Sequence, residues 1–106
     1  MTNAITLRGI ELRYVLTLFL HHRDCPASIG EMADELQSRG FTVRGRPSKA
    51  ISDALRWECN IGRVYRRGRG RYGPAYMPRS TEHRMHQRVM ALRARAAELN
   101  VPSAPP

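Results

Sequence analysis

Residues 7–22 constrain the fold of this chain most, because a helix there would be apolar on more than one side. Apolar side chains recur at helical spacing and also fill most of the intervening positions: Leu7, Ile10, Leu12, Tyr14, Val15, Leu16, Leu18, Phe19 and Leu20. A helix of this kind must be covered on several sides. The sequence therefore predicts that residues 7–22 form a helix in the middle of the fold.

The length of the chain limits what can cover that helix. At 106 residues there is room for one core and not for a second. The longest apolar run, Tyr14 to Leu20, falls short of the roughly 20 residues that cross a bilayer, and no secretory signal precedes it. Cys25 and Cys59 form no paired motif. We expect one domain in the cytoplasm, with reduced thiols, no membrane span and no cofactor.

A second helix follows a break in the chain at Pro26, which cannot continue a helix. Ser28 and Glu31 have the spacing of a capping box, and Gly40 is a typical C-terminal stop. Apolar residues between these signals recur at helical intervals. The pattern predicts a helix over residues 28–39.

A third helix is predicted over residues 47–60, because Pro47 fits the first turn and Ser48 can help to cap it. One stripe of this helix is apolar and should face inward: Ile51, Leu55 and Cys59. Another stripe is polar and should face solvent: Lys49, Asp53, Arg56 and Asn60. A third stripe, of Ala50, Ala54 and Trp57, is expected to pack in the core or beneath the segment that follows.

That following segment has the pattern of a short basic hairpin. Val64 and Tyr65 begin a strand, Gly68 and Gly70 allow a turn, and a returning strand carries Tyr72. Pro74 would end the strand pairing or place the strand at an edge.

The last helix is predicted over residues 79–99, with Ser80 as a cap. Its apolar residues alternate spacings of four and three, the pattern of a heptad seam: Met85, Val89, Leu92, Ala96 and Leu99. A homodimer through this seam would bury it, and so would a monomer whose last helix folds back over the first. We expect the homodimer. Residues 1–6 are expected to be an N-terminal tail, and residues 100–106 a disordered tail.

The positive charge of the chain is concentrated in its middle third. Eighteen Lys and Arg stand against nine Asp and Glu, for a formal net charge of +9. Residues 1–38 contribute −2, residues 39–79 contribute +9 and residues 80–106 contribute +2. If the basic residues served only solubility, they would be scattered along the chain and mixed with acidic residues. This segregation favours a polyanionic partner that is bound through its phosphates.

Three helices followed by a basic glycine-turn hairpin resemble the winged helix-turn-helix family, in particular its small Arg-rich bacterial regulators. The resemblance rests on residues 48–57, SKAISDALRW, and residues 62–72, GRVYRRGRGRY. It implies a mainly α fold with a small β-hairpin wing over residues 7–78, to which the C-terminal helix is added. It also implies a recognition helix at 47–60, a wing at 63–77 and a short strand at Ala27 to Ile29. The long link between the second and third helices departs from the family pattern, as does Glu58 at a commonly apolar position.

We expect the third helix to contact double-stranded DNA in the major groove, which accepts a helix and exposes base edges. The candidate residues are Arg46, Ser48, Lys49, Ser52, Asp53 and Arg56. Lys49, Asp53 and Arg56 are also spaced to pair with one another on a helix, without any DNA. Both roles are compatible, since Asp53 could hold Arg56 in position. Stacking of Trp57 on a base is the less favoured alternative to packing, because a duplex has no unstacked base.

The wing is expected to contact phosphates or an A·T-rich minor groove, where arginine fills a narrow groove of strong negative potential. The candidate residues are Arg63, Arg66, Arg67, Arg69 and Arg71. The alternative is that these charges only protect an edge hairpin from aggregation.

The sequence gives little support to two other classes of function, an enzyme and a metal- or ligand-binding protein. No catalytic constellation or phosphate-cradling loop occurs, so we expect no enzyme. His21, His22, Cys25, His83 and His86 have no strong zinc spacing, and neither a metal nor a small-molecule ligand is indicated. The expected function is that of a transcriptional regulator located on the nucleoid. Alternatives are an architectural DNA-binding protein, or a basic module that binds RNA or an acidic protein.

Overall fold

The computed structural model describes residues 4–23 and 25–99 of the chain. Within this part the fold is mixed α and β, with four helices and two small sheets. The elements in chain order are β1 Ile5–Leu7, α1 Ile10–Arg23, β2 Ala27–Ser28, α2 Ile29–Ser38, β3 Phe41–Val43, α3 Pro47–Asn60, β4 Val64–Gly68, β5 Arg71–Pro74 and α4 Arg79–Leu99. The tail expected at 100–106 lies outside the described residues.

Helix α1 lies in the middle of the fold, as its apolar pattern predicts. It packs against α3, α4 and β5, and its buried side chains come from several sides of the helix: Leu12, Tyr14, Val15, Leu16, Thr17, Leu18 and Leu20. The helix begins at Ile10 rather than at residue 7, because Gly9, at a φ of +60°, turns the chain out of the preceding strand.

The predicted capping box at the start of α2 is confirmed. The Ser28 hydroxyl accepts a hydrogen bond from the Glu31 amide at 3.1 Å, and the Ser28 amide donates to the Glu31 carboxylate at 3.2 Å. Both bonds satisfy donors that a helix N-terminus would otherwise leave free. After the helix, Gly40 adopts a φ of +82°, which favours glycine.

A two-stranded parallel sheet replaces part of the expected N-terminal tail. Strand β1 pairs with β3, with Ile5 opposite Phe41 and Leu7 opposite Val43. The prediction of a tail over residues 1–6 was therefore wrong for the residues in β1, and the link after α2 is partly strand. Both strands read apolar, Thr, apolar, and the buried side chains of Ile5, Leu7 and Phe41 join the core.

The predicted basic hairpin is present as β4 and β5, and the strand β2 extends it to three strands in the order β2-β5-β4. Ala27 pairs with Tyr72, so two residues of the short strand expected at Ala27 to Ile29 are in the sheet, while Ile29 begins α2. Pro74 is the last residue of β5. A β-bulge between Arg66 and Gly68 shifts the register near the turn, and such bulges twist the tip of a hairpin.

The serine caps predicted for α3 and α4 are not formed. Helix α3 spans the predicted 47–60, but its N-cap is Arg46, whose side chain makes no capping hydrogen bond. Ser48 therefore lies inside the first turn. Helix α4 begins at Arg79, so Ser80 also lies inside its helix. Proline replaces the cap of α3, since Pro47 has no amide hydrogen to satisfy.

The heptad seam of α4 packs within a single chain. Met85, Val89, Leu92 and Ala96 are at most 4% exposed, in a structure without a second copy, and α4 lies against α1. The last helix thus folds back over the first, which is the packing that the alternative to the homodimer requires. Leu99 is 48% exposed. These four seam residues are therefore buried against α1 within one chain, and the homodimer stays a prediction.

Candidate nucleic-acid interface

The polar stripe of α3 is exposed, as predicted. The side chains of Lys49 and Arg56 are 69% and 74% exposed, and that of Asp53 is 50% exposed. Asp53 lies between the two cations, with its carboxylate 3.1 Å from Lys49 Nζ and 3.9 Å from Arg56 Nη1. The expected pairing along the helix is therefore present, and it leaves both cations at the surface. Arg46 and Ser48 are exposed and Ser52 is partly buried.

The hairpin carries an unbalanced positive charge. Its four outer arginines are all exposed: Arg66, Arg67, Arg69 and Arg71. No Asp or Glu occurs in the sequence between Glu58 and Glu82, and none of the four arginines forms an ion pair within residues 4–23 and 25–99. Their positive charges therefore face solvent and remain available to an anionic partner.

Two local contacts give the hairpin arginines partial order. Arg66 Nε donates to the carbonyl of Gly68 at 3.1 Å, and the Arg67 guanidinium lies 5.5 Å from the centroid of the Tyr65 ring. The same ring packs on Gly73, where an added Cβ would come within 3.2 Å of it. Glycine at this position thus lets Tyr65 lie flat across the hairpin.

Arg63 has a different environment from the other hairpin arginines. Its Nε and Nη2 donate to the Glu58 carboxylate at 2.8 Å each, and its side chain is only 16% exposed. A guanidinium held by a buried carboxylate is not free to bind phosphate. The candidate interface therefore excludes Arg63 and consists of Arg46, Ser48, Lys49, Ser52, Asp53, Arg56, Arg66, Arg67, Arg69 and Arg71.

The acidic residue Glu58 of α3 lies in the interior, where hydrogen bonds from several elements hold it. Its side chain is fully buried and accepts hydrogen bonds from Arg13 at 2.9 Å and from Thr17 at 2.9 Å, in addition to those from Arg63. Arg13 and Thr17 belong to α1, and Arg63 immediately precedes β4. One carboxylate therefore joins the central helix, α3 and the base of the hairpin.

The protonation of Glu58 should make stability depend on pH. Burial raises the pKa of this carboxyl, but the hydrogen bonds from Arg63, Arg13 and Thr17 outweigh burial and hold the pKa below its usual value of 4.5. A pKa that is lower in the folded state stabilises the fold above the unfolded-state value, and this contribution is lost as pH falls through the folded pKa.

We therefore expect the wild-type chain to lose more free energy of unfolding between pH 7 and roughly pH 3 than Glu58→Gln, which cannot ionise. Urea unfolding at both pH values measures the difference. Equal losses in the two proteins would contradict the expectation.

The exposed stripe of α3 and the hairpin belong to neighbouring elements. Helix α3 packs on β4, and the Arg63 amide donates to the Glu58 carbonyl at 3.1 Å across the connection. Burial raises the pKa of the Cys59 thiol in α3, while the positive charge of Arg66 opposes that shift. Arg66 on the hairpin is thus near enough to α3 to act on it electrostatically.

Trp57 does not pack as its sequence pattern predicts. Its side chain is 55% exposed, and the Arg13 guanidinium lies 5.2 Å from the centroid of its ring. Ala54 in the same stripe is buried and Ala50 is partly buried. The Glu58 carboxylate holds Arg13 beside the indole, so the tryptophan packs against a cation at the surface instead of against the core.

The histidines are only partly brought together. The rings of His22 and His86 meet edge to face at 5.9 Å, across the α1–α4 contact. Among the residues that the structure describes, no group of three or more His, Cys, Asp and Glu could hold a metal ion. None of the described helices is long and apolar enough to cross a membrane.

Comparison of the chain with protein-family models, with curated proteins and with solved structures finds no match.

Proposed function

We propose that this chain is a double-stranded DNA-binding protein of the winged helix-turn-helix type, and that it acts as a transcriptional regulator on the bacterial nucleoid. Helix α3 would enter the major groove, and the hairpin of β4 and β5 would lie as a wing on the minor groove or the phosphate backbone. The observation that carries the proposal is the set of four exposed arginines, without ion pairs in the described ranges, on a hairpin that packs against α3, a helix with an exposed polar face.

The chemistry of the hairpin supports binding to phosphates. Four guanidinium groups without a nearby carboxylate repel one another, and neutralisation by phosphates relieves that repulsion. Arginine also enters narrow minor grooves, where the potential is most negative. Protection of an edge strand from aggregation needs fewer charges, and only two of the four arginines, Arg66 and Arg67, lie on the edge strand β4.

The exposed face of α3 supports sequence-specific recognition of DNA bases. Arginine and lysine form the commonest specific contact with guanine, through O6 and N7 in the major groove. Arg56 lies two helical turns from Lys49, and Asp53 between them accepts a hydrogen bond from Lys49 at 3.1 Å and lies 3.9 Å from Arg56. Both cations therefore remain on the exposed face of the helix.

A second candidate is architectural binding without sequence preference. It is favoured by the partial neutralisation of Lys49 and Arg56 by Asp53, which leaves the wing as the stronger electrostatic element. Selection of bound duplexes from a random pool separates the candidates. Enrichment of a common site supports the regulator, whereas binding without enrichment supports the architectural protein. Failure to bind any duplex, with retention of RNA or an acidic protein, overturns the proposal.

Arg56→Ala is expected to relax the sequence preference more than the overall affinity. Loss of a bidentate contact with guanine costs about 1–3 kcal/mol of discrimination against the wrong base. Binding to the selected site should therefore weaken about tenfold, while binding to random duplex changes little. Fluorescence anisotropy with both duplexes measures this ratio.

Arg84→Ala is the matched control, since Arg84 is an exposed arginine on α4 outside the candidate interface. If Arg56→Ala keeps the wild-type ratio of specific to random binding, Arg56 does not read a base.

A further inference from the structure

A groove of about 340 Å³ opens beside α3, between the parallel sheet and the start of α1. Its apolar lining comes from all three of these elements: Leu7, Leu12, Val43, Ala50 and Ala54. Trp57 also lines the groove, and more than half of its surface is exposed. The volume is in the range of small-molecule sites, which are mostly apolar with a few polar groups.

The charged residues that line this groove are mainly cationic. Arg8, Arg13 and Arg44 stand against one carboxylate, Asp53, and Asp53 already pairs with other residues of α3. Arg8 and Arg44 are exposed, and within the described ranges neither forms an ion pair. The groove therefore combines an apolar lining with two exposed guanidinium groups, those of Arg8 and Arg44, that form no ion pair among the described residues.

Trp57 contacts a cation that is itself held in place. The Arg13 Nε bond to buried Glu58 fixes the guanidinium, and the indole packs beside it at 5.2 Å. A tryptophan side chain has only two rotatable bonds, so it offers a large contact area at a small entropic cost on binding. Aromatic groups pack on one another in offset or edge-to-face arrangements. A planar aromatic ligand can therefore pack against the indole of Trp57.

We propose that the groove binds a small planar apolar anion, of the class of aromatic carboxylates. The ring of the ligand packs against Trp57 and the apolar lining, and its carboxylate pairs with Arg8 and Arg44. Binding of such an anion does not depend on the proposed DNA-binding function, and its test contains no DNA. The groove shares Asp53 with the candidate DNA interface. A bound anion would therefore lie beside the residue that pairs with Lys49 and Arg56.

Trp57 allows a direct test, because it is the only tryptophan in the chain and gives a single indole N–H resonance. Two-dimensional ¹H–¹⁵N NMR of the full chain would be recorded during titration with 2-naphthoate. The same titration is repeated with neutral 2-naphthamide, which lacks the negative charge, and with inorganic phosphate, which lacks the aromatic ring. We expect a saturable shift of the indole resonance with 2-naphthoate, half-complete below about 1 mM, and weaker effects of the other two compounds.

The double variant Arg8→Gln, Arg44→Gln should weaken 2-naphthoate binding about fivefold or more, as expected for two exposed charge pairs. Arg84→Gln on α4 is the control and should bind as the wild type does. The proposal is overturned by no shift up to about 5 mM 2-naphthoate, by equal binding of the amide or of phosphate, or by unchanged affinity in the double variant.

Discussion

Glu58→Ala is expected to remove about 3 kcal/mol from the free energy of unfolding, a large share of the 5–15 kcal/mol typical of a domain. The carboxylate is fully buried and holds Arg13 and Arg63 at 2.9 and 2.8 Å. Without it, two guanidinium groups are left partly buried and unpaired. The side chains of Arg13 and Arg63 are 20% and 16% exposed, so some rehydration keeps the loss at the lower end of the usual 3–5 kcal/mol.

Urea unfolding followed by circular dichroism measures this loss. Glu98→Ala is the matched control, because Glu98 is an exposed carboxylate on α4, and it should change stability by less than about 0.5 kcal/mol. A loss below about 1 kcal/mol in Glu58→Ala would show that the carboxylate does not hold α1, α3 and the hairpin base together.

Replacing the four hairpin arginines with glutamine should weaken duplex binding about four-thousandfold at about 0.1 M salt. Each phosphate bound by a cation contributes roughly 0.9 to the slope of log affinity against log salt. Removing four guanidinium charges therefore lowers affinity by about 3.6 decades at this salt concentration. Stability should change little, because Arg66, Arg67, Arg69 and Arg71 are exposed and form no ion pairs in the described part of the chain.

The matched control changes the same number of charges elsewhere. Helix α4 has five exposed arginines. Replacement of four of them, Arg84, Arg88, Arg93 and Arg95, with glutamine reduces the net charge equally. A loss of affinity as large as that of the hairpin variant would mean that net charge, and not the hairpin, drives binding. Anisotropy titrations with one labelled duplex compare the three proteins.

Regular patterns that are long enough predicted the helices of this fold well. The apolar sides of residues 7–22 predicted a central helix, and Pro47 marked the start of α3 at the residue observed. The strands β1 and β3 could not be predicted in the same way. Each has three residues, so an apolar, Thr, apolar alternation is too short to be distinguished from chance.

Contacts between distant residues account for the features that the sequence did not predict. Glu58 is buried because Arg13, 45 positions earlier, reaches it, and no local pattern encodes such a pair. The same arginine then meets Trp57 at the surface. The α4 seam predicted burial correctly for Met85 and Val89, but an apolar stripe does not indicate whether its partner is the same chain or another copy.

The salt dependence of duplex binding tests the central claim most directly, because the claim is that the hairpin and α3 bind phosphates together. If they neutralise about six phosphates, log affinity of the wild-type chain falls against log salt with a slope near −5, and the hairpin variant retains a slope of roughly −2. Affinity that is nearly independent of salt, or a slope that is the same in the wild type and the hairpin variant, would contradict the account.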